Sequence, residues 1–346
     1  MNIDYTLIIL ALWLFFVVSN KNGQKDKKWV AVFLCLIFII EAGFRDFMHT
    51  SNDTWNYWHW YENFQNESLG NVLSSFSLTY KNYEDRDPGF TIFVKLFQLT
   101  GGDFRMFLIF VASIISIPLC RLLYKYVPTV NGLFMSAMIY QALFAGFFNT
   151  GIRQTIALGI CLWSLIYYER QKPLQHYLLI FIAFTIHTTA FLFVPLYLIR
   201  KIDAKMVIRG ALLVTPLTML NARVIIAFLG SGTIFESYAV NSIDNLGTPV
   251  FTAMIAFITI AVAMNYDRIV SYFEDSMFLI QALAIALMLT PASWVDSNFL
   301  RITYYYLIFM LPLFPMMIEA VTVKNPSYQK LAYFGSTAAL LFLMYH

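Results

Sequence analysis

Long apolar blocks separated by short polar loops recur along this chain, and they constrain its fold more than any other feature. The clearest are Tyr5–Ser19, Trp29–Ala42, Phe104–Cys120, Leu133–Phe148 and Thr303–Ile318, which carry few or no charged side chains. Each approaches the roughly 17–25 residues that an α-helix needs to cross hydrocarbon. No water inside a bilayer satisfies backbone N–H and C=O groups, so a crossing segment must be a helix or part of a closed barrel. The alternating pattern of a membrane β-barrel is absent. Charged residues make up 12% of the chain, against about 25% in a soluble domain. The chain reads as an all-α integral membrane protein, a polytopic helical bundle of about ten to thirteen transmembrane or re-entrant helices.

Cytoplasmic loops of such proteins are enriched in Lys and Arg. Basic clusters fall at 21–28, 121–125, 170–172, 200–209, 268 and 324–330. With all of them inside, the chain threads consistently with its N-terminus outside, and the inner face is net positive while the outer face is net negative. The first apolar segment follows Asp4 and no basic residue, so it is expected to remain as a span rather than act as a cleaved signal peptide. Residues 88–100 are short, and Gly101 and Gly102 follow them, which suits a shallow or re-entrant helix. Residues 174–199 have basic clusters at both ends and read as a hairpin of two short helices meeting near His187, with a single kinked span as the alternative. At 1.5 Å per residue, a dozen residues from Gln175 reach roughly 18 Å, about mid-bilayer. No repeat or linker divides the chain, so residues 1–346 are expected to form one transmembrane domain. Cys35, Cys120 and Cys161 lie within apolar segments, and their spacing fits neither a metal site nor a disulfide framework.

Polar residues gather in one long segment on the predicted outer side, about 45–103. Its first part contains Arg45, Asp46, His49, Asp53, Trp55, Tyr57, His59 and Tyr61, and it runs on to Arg86 and Asp87. A long loop in a compact protein is more often functional than decorative. Trp and Tyr anchor membrane edges, but they also stack on sugar rings and offer a polar handle. Arg153 lies between two apolar helices, near the start of a helix expected from about 154. An ionisable residue there is a functional hypothesis by default; the plainer reading is a salt bridge or a snorkelling side chain. The guanidinium fork matches phosphate oxygens, and a helix N-terminus favours anions. Arg45, Arg86 and Arg301 fall on the same predicted side, where several arginines would suit a pyrophosphate headgroup. His187 sits alone in an apolar stretch beside Thr188 and Thr189. It reads either as a buried structural histidine or as a base or phosphate donor facing a cavity. Asp46 and Asp53 are the other candidate bases. No Walker-type glycine loop, GxSxG elbow, HExxH or paired CxxC is present, so any chemistry here must use a pre-activated substrate.

The run Gly43-Phe44-Arg45-Asp46, followed by Asp53-Thr54-Trp55-Asn56-Tyr57, resembles the opening motif of EpsG-like proteins, which group with the Wzy-type polymerases of bacterial surface polysaccharide. Phe148-Asn149-Thr150-Gly151-Ile152-Arg153-Gln154 is similar to their Arg-Gln signature, and Ile182–Ala190 running into Pro195 is similar to their histidine motif. Asp87-Pro88-Gly89-Phe90 also fits. The resemblance covers residues 40–200; beyond them the likeness is in hydropathy alone, and Thr189 stands where a serine is expected. It implies a membrane glycosyltransferase of the GT-C-like type in the bacterial cytoplasmic (inner) membrane, working at its outer face without nucleotide sugar, cofactor or metal. The substrate would be a polyprenyl-pyrophosphate-linked oligosaccharide repeat, polymerised into exopolysaccharide, capsule or O-antigen. A flippase and a chain-length regulator would be its partners, and nucleic acid would have no part. Under that reading Arg153, Gln154, Arg45, Arg301 and Arg86 bind pyrophosphate, His187 and Asp53 compete as base, and Asp46, Trp55 and Tyr57 contact sugar.

Three rival readings share these residues. A flippase or transporter of lipid-linked glycans often shows related halves with broken helices at matching positions, whereas broken helices are expected here in the first half only. A membrane O-acyltransferase of surface glycans needs an acyl donor from the cytoplasm, while the polar cluster lies outside. A ligase moving finished glycan to another acceptor shares the polymerase's chemistry.

Overall fold

The computed structural model describes residues 4–19, 26–47, 53–76, 87–230 and 247–345. Every element among them is helical. The chain divides into two compact units, residues 1–194 with 330–346, and residues 195–329.

The first unit is built from α1 (Tyr5–Ser19), α2 (Lys27–Gly43), α3 (Asp53–Phe64), α4 (Leu69–Ser74), α5 (Pro88–Gln98), α6 (Phe104–Tyr126), α7 (Val130–Leu143), α8 (Ala145–Thr150), α9 (Ile152–Glu169) and α10 (Pro173–Ile186). Side-chain caps set several of the starts. Asp103 accepts from the amide of Met106 at 2.8 Å to open α6, and Thr129 accepts from the amide of Gly132 at 3.1 Å to open α7. Each satisfies a first-turn donor that the helix itself leaves unpaired. Pro173 opens α10 at a position where its missing N–H is harmless. At the far ends of α6 and α9, Glu169 accepts from Arg121 at 2.7 Å, from Lys125 at 3.1 Å and from the Tyr126 hydroxyl at 2.9 Å.

α6 lies between α2 and α9 and buries Phe107, Leu108, Val111, Ile115 and Leu119. Two glycines allow this close packing. A Cβ on Gly43 would stand 2.8 Å from Ile109 Cγ1, and one on Gly159 would stand 2.8 Å from the carbonyl oxygen of Ile114. A helix backbone cannot yield as a side chain can. Gly159→Ala is therefore expected to destabilise the protein by about 1–3 kcal/mol through overpacking. Gly210→Ala, where nothing lies within 4 Å, should be neutral or stabilising by about 0.5–1 kcal/mol. Paired thermal unfolding curves in one detergent would check both.

The second unit comprises α11 (Pro195–Leu198), α12 (Ala204–Leu220), α13 (Ala222–Gly230), α14 (Gly247–Met264), α15 (Tyr266–Tyr272), α16 (Met277–Leu289), α17 (Leu300–Leu307) and α18 (Met310–Thr322). Its interior holds Tyr305, Tyr306 and Phe309. Gln281 donates to the carbonyls of Ile199 at 3.1 Å and Ile202 at 2.6 Å, so its buried amide is satisfied. The last helix, α19 (Pro326–Tyr345), begins in the second unit and from Lys330 belongs to the first.

Two helical stretches, Phe104–Tyr126 and Glu274–Trp294, are individually long and apolar enough to cross a membrane. Three helix pairs qualify only together and bend between their halves: α12 with α13 by 83°, α14 with α15 by 69° and α17 with α18 by 51°. Two to five crossings therefore meet the length criterion among the described residues. The ten to thirteen read from the sequence exceed this number; shorter apolar helices lie at Tyr5–Phe16, Val130–Leu143 and Pro173–Ile186.

Candidate active site

Three segments far apart in sequence meet at one carboxylate. Asp87 immediately precedes Pro88, the first residue of α5, and its backbone is left-handed with φ 62° and ψ 51°. Few non-glycine residues adopt that conformation, which costs about 1–2 kcal/mol, and Asp and Asn tolerate it best. An Asp at this place would normally cap its own helix, but this side chain makes no capping bond. It turns instead into the protein, where it is 3% exposed. Oδ2 of Asp87 accepts from Arg153 Nη1 at 3.2 Å and lies 3.3 Å from His187 Nδ1. Oδ1 accepts from the amide of Thr188 at 3.3 Å.

Each partner is delivered by a break in a helix. α10 stops at Ile186, and His187 takes an extended conformation, with φ −156° and ψ 117°, before a 3₁₀ turn over Thr188–Phe193. The break frees the Thr188 amide for Asp87. Arg153 is the second residue of α9, which begins at Ile152 after Gly151, two residues before the expected start. Its guanidinium lies over the rings of Phe90 at 4.9 Å and Tyr57 at 5.7 Å. Nη1 is committed to Asp87, whereas Nε is buried with no hydrogen-bond partner. Beneath the cluster, Phe47, Tyr61, Phe90, Phe104, Phe107, Ile152 and Ile186 form a buried apolar floor.

Asp87 responds to these neighbours. Burial raises its carboxyl pKa, but the hydrogen bond and charge of His187, joined by Arg153, outweigh burial and hold it below the usual carboxylate value. A group whose folded pKa is depressed stabilises the fold above its unfolded pKa and loses that contribution as pH falls through the folded value. Acidification from neutrality to about pH 5 should leave this contribution intact, with the loss confined to lower pH. Unfolding temperature against pH, wild type beside Asp87→Asn, would read it: the gap between the two curves should close only in that acidic range.

α5 reaches this position because Gly89 lies flat on α10. A Cβ there would sit 2.2 Å from Thr185 Oγ1 and 2.8 Å from the Thr185 carbonyl carbon. Gly89→Ala must push α5 away and draw Asp87 off His187 and Thr188. A fall in activity exceeding the fall in unfolding temperature is the expected signature; parallel losses would mean a packing role alone.

The other sequence candidates take different places. Gln154 is 3% exposed, next to Arg153 in the first turn of α9. Tyr57 belongs to the cluster through Arg153 and through its ring, 5.7 Å from Phe90. Trp55 packs one turn away against Trp58 at 5.1 Å and His59 at 4.4 Å. Asp53 is exposed at the first position of α3 and Asp46 is exposed before it. Arg45 forms a separate group. Its Nη1 donates to the Ala42 carbonyl, while Arg105 donates to the carbonyls of Gly43 at 2.9 Å and Arg45 at 2.7 Å. Burial, then Arg105, pulls the Arg45 guanidinium below its ordinary pKa. The expected convergence of arginines thus holds Arg153 but not Arg45 among the contacts of Asp87. Arg301 lies in the first turn of α17 in the second unit, and Arg86 lies outside the described residues. No cluster of three or more His, Cys, Asp or Glu side chains able to hold a metal occurs among the described residues.

The sequence matches the EpsG family over residues 28–346, nearly the whole chain. The chain belongs to the EpsG family. No curated protein and no solved structure matches it. Family membership and apolar helices together make it a membrane protein tied to polysaccharide biosynthesis. The residue missed as a site member in this EpsG-family chain is Asp87, which the resemblance included in a motif without giving it a role. Its signal was an Asp-Pro-Gly at a helix start on the same predicted side as Arg153.

Proposed function

We propose that this EpsG-family protein is a membrane glycosyltransferase that joins polyprenyl-pyrophosphate-linked oligosaccharide repeats at the outer face of the bacterial cytoplasmic membrane. The observation that carries the proposal is the shared carboxylate of Asp87, which holds Arg153 and His187 on one oxygen. Asp87 occupies Nδ1 of His187 and leaves Nε2 for substrate. An imidazole so oriented can accept a proton, and the carboxylate steadies the imidazolium that forms. Arg153 has donors beyond the Nη1 held by Asp87, and these suit a phosphate oxygen.

The reaction then follows from charge. The acceptor hydroxyl oxygen bonds to the anomeric carbon, and its proton passes to Nε2 of His187. The bond from that carbon to the pyrophosphate oxygen breaks, and its electron pair leaves with the polyprenyl pyrophosphate. Arg153, with Gln154 beside it, stabilises the negative charge that develops, in a setting drier than bulk solvent. Tyr57 and Trp55 offer ring faces to the saccharide. Of the two bases proposed from sequence, His187 is favoured by the carboxylate of Asp87 at its Nδ1. The flippase and the chain-length regulator remain partners by family analogy.

A strain lacking the protein, rescued with wild type or with His187→Ala, tests this on a glycan gel. Single-repeat glycan in both the deletion and the mutant, with long chains in the wild-type rescue, supports polymerisation. Normal lengths in the deletion would sink the reading, and complete loss of surface glycan would point to transport.

A further inference from the structure

The end of α2 carries a second cation cluster, built from Arg45 and Arg105. A helix leaves its last carbonyls without intrahelical donors. Nη1 of Arg45 donates to the carbonyl of Ala42, and Nη1 of Arg105 donates to those of Gly43 at 2.9 Å and Arg45 at 2.7 Å. The Arg105 guanidinium also lies 4.7 Å over the ring of Phe47. Capping of α2 explains these bonds and no others. It leaves Nε and Nη2 of Arg45 buried and without a hydrogen-bond partner. Those two nitrogens share one edge of the planar guanidinium, where their N–H bonds run parallel. That edge is the fork that grips two oxygens of one phosphate or carboxylate. Buried donors are paired in nearly every case, so an unpaired fork needs an explanation. Its acidic neighbours in the chain do not fill it. Glu41, one turn earlier, accepts from Gln141 at 2.7 Å, and Asp46 is exposed.

We propose that Arg45 and Arg105 form an oxyanion site, separate from Arg153, that takes a doubly charged phosphate group. The two guanidinium groups are close enough for Arg105 to work against the charge of Arg45. One anion on the unpaired edge offsets that repulsion and satisfies both donors. A phosphomonoester carries a charge of about −1.5 to −2 near neutrality and so matches two cations, whereas a carboxylate or a phosphodiester matches one. Nη1, tied to the Ala42 carbonyl, keeps the fork from turning, so little freedom is lost when the anion binds. Phe44, 60% accessible, and the exposed Asp46 flank Arg45 in the chain, which puts the site near the surface of its unit. A free phosphate and a lipid headgroup ending in phosphate present the same oxygens to the fork. The site stands whatever reaction Arg153 and His187 perform.

The test is isothermal titration calorimetry on the full chain in dodecyl maltoside, at about pH 8, above the second phosphate pKa of about 6. One series adds inorganic phosphate and a parallel series adds phosphatidic acid in mixed micelles. Arg45→Lys keeps a positive charge that can reach the Ala42 carbonyl, but it has no fork. It should weaken binding about tenfold, equivalent to 1.4 kcal/mol, at an unchanged unfolding temperature. Arg105→Gln should remove the preference for phosphatidic acid over phosphatidylglycerol, whose phosphodiester carries one charge; it keeps the assignment testable should Arg45→Lys unfold. Arg153→Lys should leave this binding step as it is in wild type. Binding of inorganic phosphate marks a free anion as the ligand, and binding of phosphatidic acid alone marks a lipid headgroup. Either supports the site when Arg45→Lys weakens it. The proposal is overturned if neither ligand binds, or if Arg45→Lys binds as tightly as wild type. It is also overturned if malonate matches inorganic phosphate, if phosphatidylglycerol matches phosphatidic acid in wild type, or if Arg153→Lys removes the same step.

Discussion

Arg153→Ala is expected to leave single-repeat glycan where wild type makes long chains, with turnover reduced by about 10²–10³. That range is what one preorganised charge contributes when aimed at a charge that develops during reaction. The informative comparison is Arg153→Lys. Lysine keeps the positive charge but offers one compact ammonium in place of a planar fork. It cannot hold Asp87 through one nitrogen while presenting the others to phosphate. Lysine should therefore behave much as alanine does, with polyprenyl pyrophosphate release lost in a purified assay alongside the polymer ladder. Full polymer length in Arg153→Lys would mean that charge alone suffices, and the fork argument would fail. Thermal unfolding must accompany both variants, since removing Arg153 leaves Asp87 3% exposed with one fewer partner.

Asp87→Asn carries the second large effect. The amide fills the same space, and its oxygen can still accept from the Thr188 amide, so the turn after His187 keeps a tie. What disappears is the negative charge between Arg153 and His187. His187 then loses the group that fixes its ring and steadies its protonated form, and turnover should fall by about 10²–10⁴. Breaking a buried ion pair by removing one partner can also destabilise by about 3–5 kcal/mol. A purely structural Asp87 would lower the unfolding temperature and leave the pH profile of the surviving activity unchanged. A positioning role alters that profile, because the ring loses the carboxylate that holds its orientation at Nδ1. Near-normal turnover in Asp87→Asn would remove His187 as the base.

The helical class was legible in the apolar blocks, because a bilayer leaves no other option for a backbone built from such segments. The break at His187 was legible too, from a histidine and two threonines interrupting an apolar run. Arg153 stood out because a cation in that setting is unfavourable without a partner. The partner itself could not be read. An aspartate before Pro88 has a local explanation as a helix cap, and only a left-handed backbone turns its carboxylate away from α5 toward residues 66 and 100 positions further on. Arg45 lies apart from this cluster, with Nε and Nη2 buried and without a hydrogen-bond partner. Its neighbourhood in the sequence resembled that of a ligand-binding arginine, but a sequence cannot show that its Nη1 donates to the carbonyl of Ala42, on the preceding turn. Helix bends such as the 83° turn between α12 and α13 have no signature in hydropathy, so span counts drawn from hydropathy and from geometry diverge.

Lys95 is 5% exposed and carries no carboxylate partner among the described residues. Its ammonium donates to the carbonyls of Phe64 at 3.4 Å and Gln65 at 2.9 Å, at the C-terminal end of α3, where a cation is favoured. Gln98 adds a bond to the Tyr61 carbonyl at 2.8 Å. The tryptophan-rich helix and the helix behind Asp87 are thereby fastened into one frame. Diversification can act on such a frame without disturbing its reaction centre: the exposed face of α3, including His59, Glu62 and Asn63, is free to vary with the sugar being built while its inner face keeps the spacing to Arg153. Glycan repertoire and bond-forming chemistry would then evolve as separable traits within a single scaffold.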